Sequence, residues 1–145
     1  MKIDEKGKRA VHDREGIRLK PYFDTRGIAT IAMGNTYYLN GTKVTIYDRA
    51  MKMSEATELA DKTLMKFSDF VDSKITAKVT QNQFNALVSM CYNIGMEAFS
   101  HSTALKEVNK DPNSSKVIVG IMLWTKNKEL VSRRLSEVEQ YKSKL

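Results

Sequence analysis

Glu15, Asp24 and Thr30 fall within the stretch "EGIRLKPYFDTRGIATIAMGNT", residues 15–36: two carboxylates and a hydroxyl, separated by eight and then five residues. That set suits hydrolysis of a glycosidic bond. One acid must protonate the leaving oxygen, and a second carboxylate must attack the sugar or activate a water on its other face. A glutamate at a helix exit is held rigidly and, when partly buried, keeps its proton to higher pH. An aspartate on a hairpin is better solvated and stays ionised. Thr30, past the Gly27 turn, can reach back toward Asp24 and hold a water beside it. Tyr22 and Phe23 offer aromatic faces on which sugars stack. Strand neighbours face opposite sides, so one of the two belongs in the core.

Spacing alone does not decide the matter. With 17 acidic residues in the chain, such pairs recur by chance. A helix-end glutamate often pairs with a lysine, and a hairpin aspartate often closes an Asx turn.

The elements that must position these groups can be read from the pattern. Residues 3–14 predict a short helix, capped by Asp4 and stopped by Gly16, with Glu15 at its exit. Residues 17–47 are rich in strand formers, and "DTRG" and "LNGT" are turn signals. Two hairpins or a small three-stranded antiparallel sheet follow. From Ser54, taken as a cap, a helix runs to about Lys74 with Ala56, Leu59, Ala60, Leu64, Phe67, Phe70 and Val71 on one face. Further helices are predicted from a Thr80 cap to Gly95, over "STALKEVNKD", over residues 115–126 around Trp124, and over 128–143. Trp124, inside that apolar helix, is expected in the core. His12 is expected solvated on the polar side of the first helix. His101 is expected exposed in a loop able to edge a cleft. The layout is α+β: one domain over 1–145, with a β-rich lobe at about 15–50, a helical lobe at about 54–145 that includes the 3–14 helix, and a cleft between them.

Bulk properties narrow the class. The 145 residues are 41% hydrophobic and 28% charged, enough for a real core and against global disorder. The formal charge of +7 favours an anionic partner: nucleic acid, a membrane surface or an acidic polymer such as bacterial cell wall. Cys91 stands alone in an apolar run, which predicts a buried, inert thiol. No zinc spacing links it to His12 and His101, so no metal or cofactor is expected. The charged start predicts no secretion signal. The longest apolar run, "VIVGIMLW", is far short of the roughly 20 residues a membrane span needs.

The combined pattern adds specificity. "E-G-I-R-L-K-x-Y-x-D-T-x-G-x-x-T-I-x-x-G" resembles the active-site segment of the phage-type lysozymes of glycoside hydrolase family 24, the muramidase endolysins that include the lysozyme of the T-even phages. "TQNQFNALVSMCYNIG" is similar to that family's helix ending in "F-N-x-G", "FSHSTALKEVN" to the following segment, and "LW…LVSRRLSEVEQY" to its tryptophan and double-arginine end. Ordered matches run over roughly residues 3–142. The resemblance implies a lysozyme-like α+β fold and a peptidoglycan hydrolase with an inverting mechanism. It puts Glu15 on the general acid, Asp24 on the carboxylate that orients water, and Thr30 on the hydroxyl that helps hold it. It adds Tyr22, Asn93, Ser102 and Arg134 as substrate-binding positions. Arg133 or Arg134 matches an arginine that pairs with the catalytic glutamate. Such a pair lowers the acid's pKa, so substrate binding must weaken it. The resemblance further implies a monomer held in the host cytoplasm until a holin-type permeabilising partner releases it, with no stable membrane insertion.

Two departures stand out. Ala32 replaces a family glycine and is expected to take an ordinary strand φ. Asn35 replaces a histidine and can still hydrogen-bond, but carries no charge. A competing reading is an inactive wall-binding or phage structural protein of the same fold; retention of Glu15, Asp24 and Thr30 argues against it. A nucleic-acid binder is disfavoured, because the arginines are scattered rather than striped with aromatics.

Overall fold

A computed structural model describes all residues, 1–145. The order is α1 (Glu5–Glu15), β1 (Arg18–Phe23), β2 (Ala29–Ala32), α2 (Met53–Lys74), α3 (Gln81–Ile94), α4 (Met96–Ser100), α5 (Thr103–Lys110), α6 (Ser115–Ile121) and α7 (Lys128–Lys142). The fold is α+β. Two compact units form, Val11–Leu64 and Met1–Ala10 with Met65–Leu145. The charge divides unevenly between them. The larger unit has 16 Lys and Arg against 10 Asp and Glu, a net +6; the smaller has 8 against 7, a net +1.

In the unit 11–64, β1 and β2 pair antiparallel, with Tyr22 opposite Thr30 and Phe23 opposite Ala29. Ile31, Ala32, Val44, Ala56 and Leu59 make its core, with Leu19, Tyr38 and Met51 packed against them. The second hairpin foreseen at "LNGT" is only a turn with one isolated bridge, Tyr37 to Lys43, so no third strand forms. Side chains take over there. Asp48 accepts from Tyr38 Oη (2.8 Å) and from Thr45 Oγ1 (2.6 Å), which organises the loop without a ladder. Ser54 does not cap α2. The helix starts at Met53, and Glu55 reaches back to the Lys52 N–H (3.0 Å), so a carboxylate serves where a hydroxyl was expected.

Ala32 overturns its expectation. Its φ is +58°, the sole non-glycine residue in the left-handed region. Ile31 and Asn35 exchange both backbone hydrogen bonds (2.8 and 2.9 Å), which leaves three residues to turn the chain. So tight a loop needs left-handed residues, and Ala32 takes one of those places at a cost of about 1–2 kcal/mol. Asn35 fills its position with neutral bonds. Its Oδ1 accepts from the Met33 N–H (3.1 Å) and its Nδ2 donates to Thr63 Oγ1 (2.9 Å).

In the larger unit, α3 is buried from Gln83 to Cys91 and packs chiefly on α7. Its start is the predicted Thr80 cap, completed by Gln83 as a capping box, and Gly95 ends it at φ +98°. Burial pushes the Cys91 thiol up to about 12, which makes it inert. The short α4 was not foreseen. α5 and α6 meet at Gly120, where a Cβ would come within 2.6 Å of the Ala104 nitrogen. The helix expected over 115–126 stops at Ile121. The Trp124 carbonyl leaves the helical ladder and accepts from Arg134 Nε instead (3.0 Å). Trp124 therefore sits after the helix, half-buried, rather than in the core. No helix is long and apolar enough to cross a membrane.

Candidate active site

Glu15 is the last residue of α1 and half-buried. Asp4 caps the helix start by accepting from the Gly7 N–H (2.9 Å), and Gly16 ends it at φ +75°. One turn before Glu15, His12 is not solvated as expected: its Nε2 lies 2.5 Å from Asp61 Oδ1, which ties the end of α1 to α2.

Asp24 opens the turn between β1 and β2. Its N–H donates to the Ile28 carbonyl (3.0 Å), and its carbonyl accepts from Gly27 (2.9 Å). Its side-chain Oδ1 accepts from the backbone N–H groups of Arg26 (2.8 Å) and Ile28 (2.9 Å), and the Arg26 guanidinium stands 3.6 Å from Oδ2. The Ile28 amide, with the Arg26 amide and charge adding to it, holds the carboxyl below the usual aspartate range, and partial desolvation works against this. Thr30 is buried, and its hydroxyl donates to the Ile28 carbonyl (2.8 Å), not to Asp24. The backbone of one residue, Ile28, thus anchors both side chains, through its N–H and its carbonyl.

Tyr22 lies across the ladder from Thr30, and the Arg18 guanidinium covers one ring face at 4.3 Å. Neither Tyr22 nor Phe23 enters the core. Tyr22 is half-buried and Phe23 is 58% exposed. A register shift between Arg18 and Tyr22 breaks the alternation on which the core expectation rested. The hairpin therefore brings Tyr22, Asp24 and Thr30 together, two residues after the helix that carries Glu15.

The other three predicted positions share a hollow of about 490 Å³ in the helical unit, lined by Asn93, His101, Ser102, Leu123, Trp124 and Lys126 and backed by Arg134. Ser102 caps α5. Its Oγ accepts from the Leu105 N–H (3.2 Å) and donates to the Phe99 carbonyl (2.7 Å), so its hydrogen is committed. Arg134 is fully buried. Besides Trp124, it donates to Glu137 Oε1 through Nη1 and to Asn93 Oδ1 through Nη2. Burial makes it a support behind the wall rather than an open contact surface. Glu137, also fully buried, accepts on Oε2 from Ser89 Oγ (2.6 Å) and Arg133 Nε (3.2 Å).

Lys126 and Glu137 were not singled out from the sequence, and Trp124 was expected in the core rather than at the hollow. Glu137 had a legible signal, since it follows Arg133 and Arg134 by four and three residues, the spacing of helical ion pairs. Trp124 did not, because its run reads as continuous helix.

The sequence pattern that defines the phage lysozyme family matches residues 12–137. The chain belongs to the phage lysozyme family. The endolysin of Salmonella phage P22 is 34% identical over 126 residues, 87% of this chain and 85% of that protein. The endolysin of Acyrthosiphon pisum secondary endosymbiont phage 1 is 31% identical over 153 residues, covering 99% of each. Among solved structures, the endolysin from Escherichia coli O157:H7 phage FAHEc1 matches with a TM-score of 0.90 at 30% identity, covering 100% of this chain and 96% of that one. The α+β architecture of this lysozyme is thus that of phage endolysins, and the chain is a glycoside hydrolase by family.

Proposed function

We propose that this lysozyme hydrolyses the β-1,4 bond between N-acetylmuramic acid and N-acetylglucosamine in peptidoglycan, with inversion at the anomeric carbon. Glu15 is the general acid, Asp24 the base that orients the water, and Thr30 the second hold on that water. The observation that carries the reading is the Ile28 anchor. It keeps Asp24 ionised, and it takes the only hydrogen of the Thr30 hydroxyl. Both groups then present only lone pairs. A water between them gives one hydrogen to each and turns a lone pair toward the sugar. Glu15, held at the helix end, protonates the leaving oxygen. Inversion requires carboxyl groups roughly 6.5–9.5 Å apart, room for that water.

Tyr22 offers its ring face away from Arg18 to a sugar. Asn93 contacts the substrate, while Ser102 and Arg134 shape the wall behind it. In this reading residues 1–145 work as one lysozyme-like domain. The protein acts as a monomer without a cofactor and reaches the wall from the host cytoplasm when a holin-type partner opens the membrane.

The test compares wild type with Glu15→Gln on isolated peptidoglycan, following turbidity and new reducing ends, with the anomer of the first product read by NMR. Glutamine keeps the shape and removes the proton, so a fall in turnover of about 10²–10⁴-fold is expected. Equal clearance by both proteins would place the acid elsewhere. Sedimentation of both with the wall, without new reducing ends, would leave only a wall-binding protein.

A further inference from the structure

The cluster behind the hollow joins the helical unit's two fully buried charged residues. Its geometry ends on Asn93. A guanidinium only donates, so the Asn93 atom facing Arg134 Nη2 must be the amide oxygen. That fixes the other end of the side chain. Nδ2 is then a donor with no protein acceptor, on a side chain that lines the hollow together with Trp124 and Lys126. Arg134 in turn cannot swing away. Nε is held by the Trp124 carbonyl and Nη1 by Glu137. Glu137 is itself fixed by Ser89 and Arg133. In a packed interior such a chain has one arrangement, and the amide at its end is oriented before any ligand arrives.

We infer that Glu137 is a positioning residue for substrate binding. Through Arg134 it locks the Asn93 amide so that Nδ2 donates to an acyl carbonyl oxygen of the wall polymer. That carbonyl belongs either to an acetamido group of the glycan or to the attached peptide; both present the same acceptor. The inference rests on the muramidase reading, and it concerns binding rather than the bond-breaking step.

Asn93→Asp is the discriminating variant. Aspartate keeps the oxygen that Arg134 grips and replaces the outward donor with a second acceptor. The expected result is a melting temperature no lower than wild type, an unchanged kcat and a KM raised about tenfold or more on soluble peptidoglycan fragments. A wild-type KM for Asn93→Asp would overturn the proposal. Peptide-free N-acetylated glycan separates the sources: a defect that persists there points to the acetamido group, and one confined to intact fragments points to the peptide. Glu137→Asp, which draws the carboxylate back by one methylene, should also raise KM with kcat unchanged, and should add nothing further in the Asn93→Asp background. A KM effect of Glu137→Asp that persists in full in that background would overturn the relay. If Glu137→Asp does not fold, Ser89→Ala loosens the same carboxylate and gives the same cycle. Loss of the muramidase reading would show as an inactive wild type; loss of this inference would show as an active enzyme indifferent to Asn93→Asp.

Discussion

Asp24 and Glu137 are both pinned carboxylates, by opposite means. Two backbone amides hold one oxygen of Asp24 on a turn at the surface, and its nearest cation stands off at 3.6 Å. Two guanidiniums and a hydroxyl hold Glu137 in the interior. Amides orient a carboxylate and favour its charge without neutralising it, so the second oxygen stays open to chemistry. Guanidinium partners consume the charge and turn the carboxylate into scaffold. Position on turn or core thus sorts two similar groups into reactive and supporting roles.

The largest effect that would break this contrast is on turnover. Asp24→Asn can keep the Asx turn while removing the base, and should lower kcat by about 10²–10⁴-fold with little change in melting temperature. A well-folded, fully active variant would show that Asp24 is only a turn former. Glu137→Leu should do the reverse. It strands Arg134 in the core and costs about 3–5 kcal/mol, read from urea unfolding. A loss below about 1 kcal/mol would mean water or another group already compensates the arginines.

A pH series sharpens the contrast. The folded Asp24 pKa lies below its ordinary 3.8. Its contribution to stability is therefore present above that value and is lost as pH falls through the lower, folded one. The acid limb of kcat/KM should accordingly break below pH 3.8, measured at constant ionic strength. A break well above it would assign the limb to another group.

The smallest effect concerns Ala32. Ala32→Gly should relieve about 1–2 kcal/mol of left-handed strain. Against this stands about 0.8 kcal/mol for the buried methyl. A net gain of about 0.5 kcal/mol should appear as a higher urea midpoint. No gain would mean that the methyl packing offsets the strain in full.

What could be read from sequence was local. Asp4, Thr80, Gly16 and Gly95 announced helix ends because caps act within one turn of the chain. "DTRG" announced the turn that carries Asp24. What escaped depended on partners far along the chain. His12 looked polar and solvated because Asp61 lies 49 residues away. Trp124 looked helical because its run is apolar, yet Arg134 draws its carbonyl out of the ladder. Ala32 looked like a strand residue because nothing nearby shows that Ile31 and Asn35 close on each other. Of the candidate site, residue types and order were legible, whereas the Ile28 anchor and the Arg134 relay needed coordinates.

The uneven charge, +6 on the larger unit and +1 on the smaller, bears on how the protein travels. An anionic mesh acts on it as a cation-exchange resin acts on any basic protein, through the larger unit above all. At low salt each encounter lasts, and cuts cluster near the point of entry. As ionic strength rises and the screening length drops toward about 8 Å, encounters shorten and the same number of cuts spreads over a wider area. Salt would thus set the size of the hole as well as the rate at which it opens.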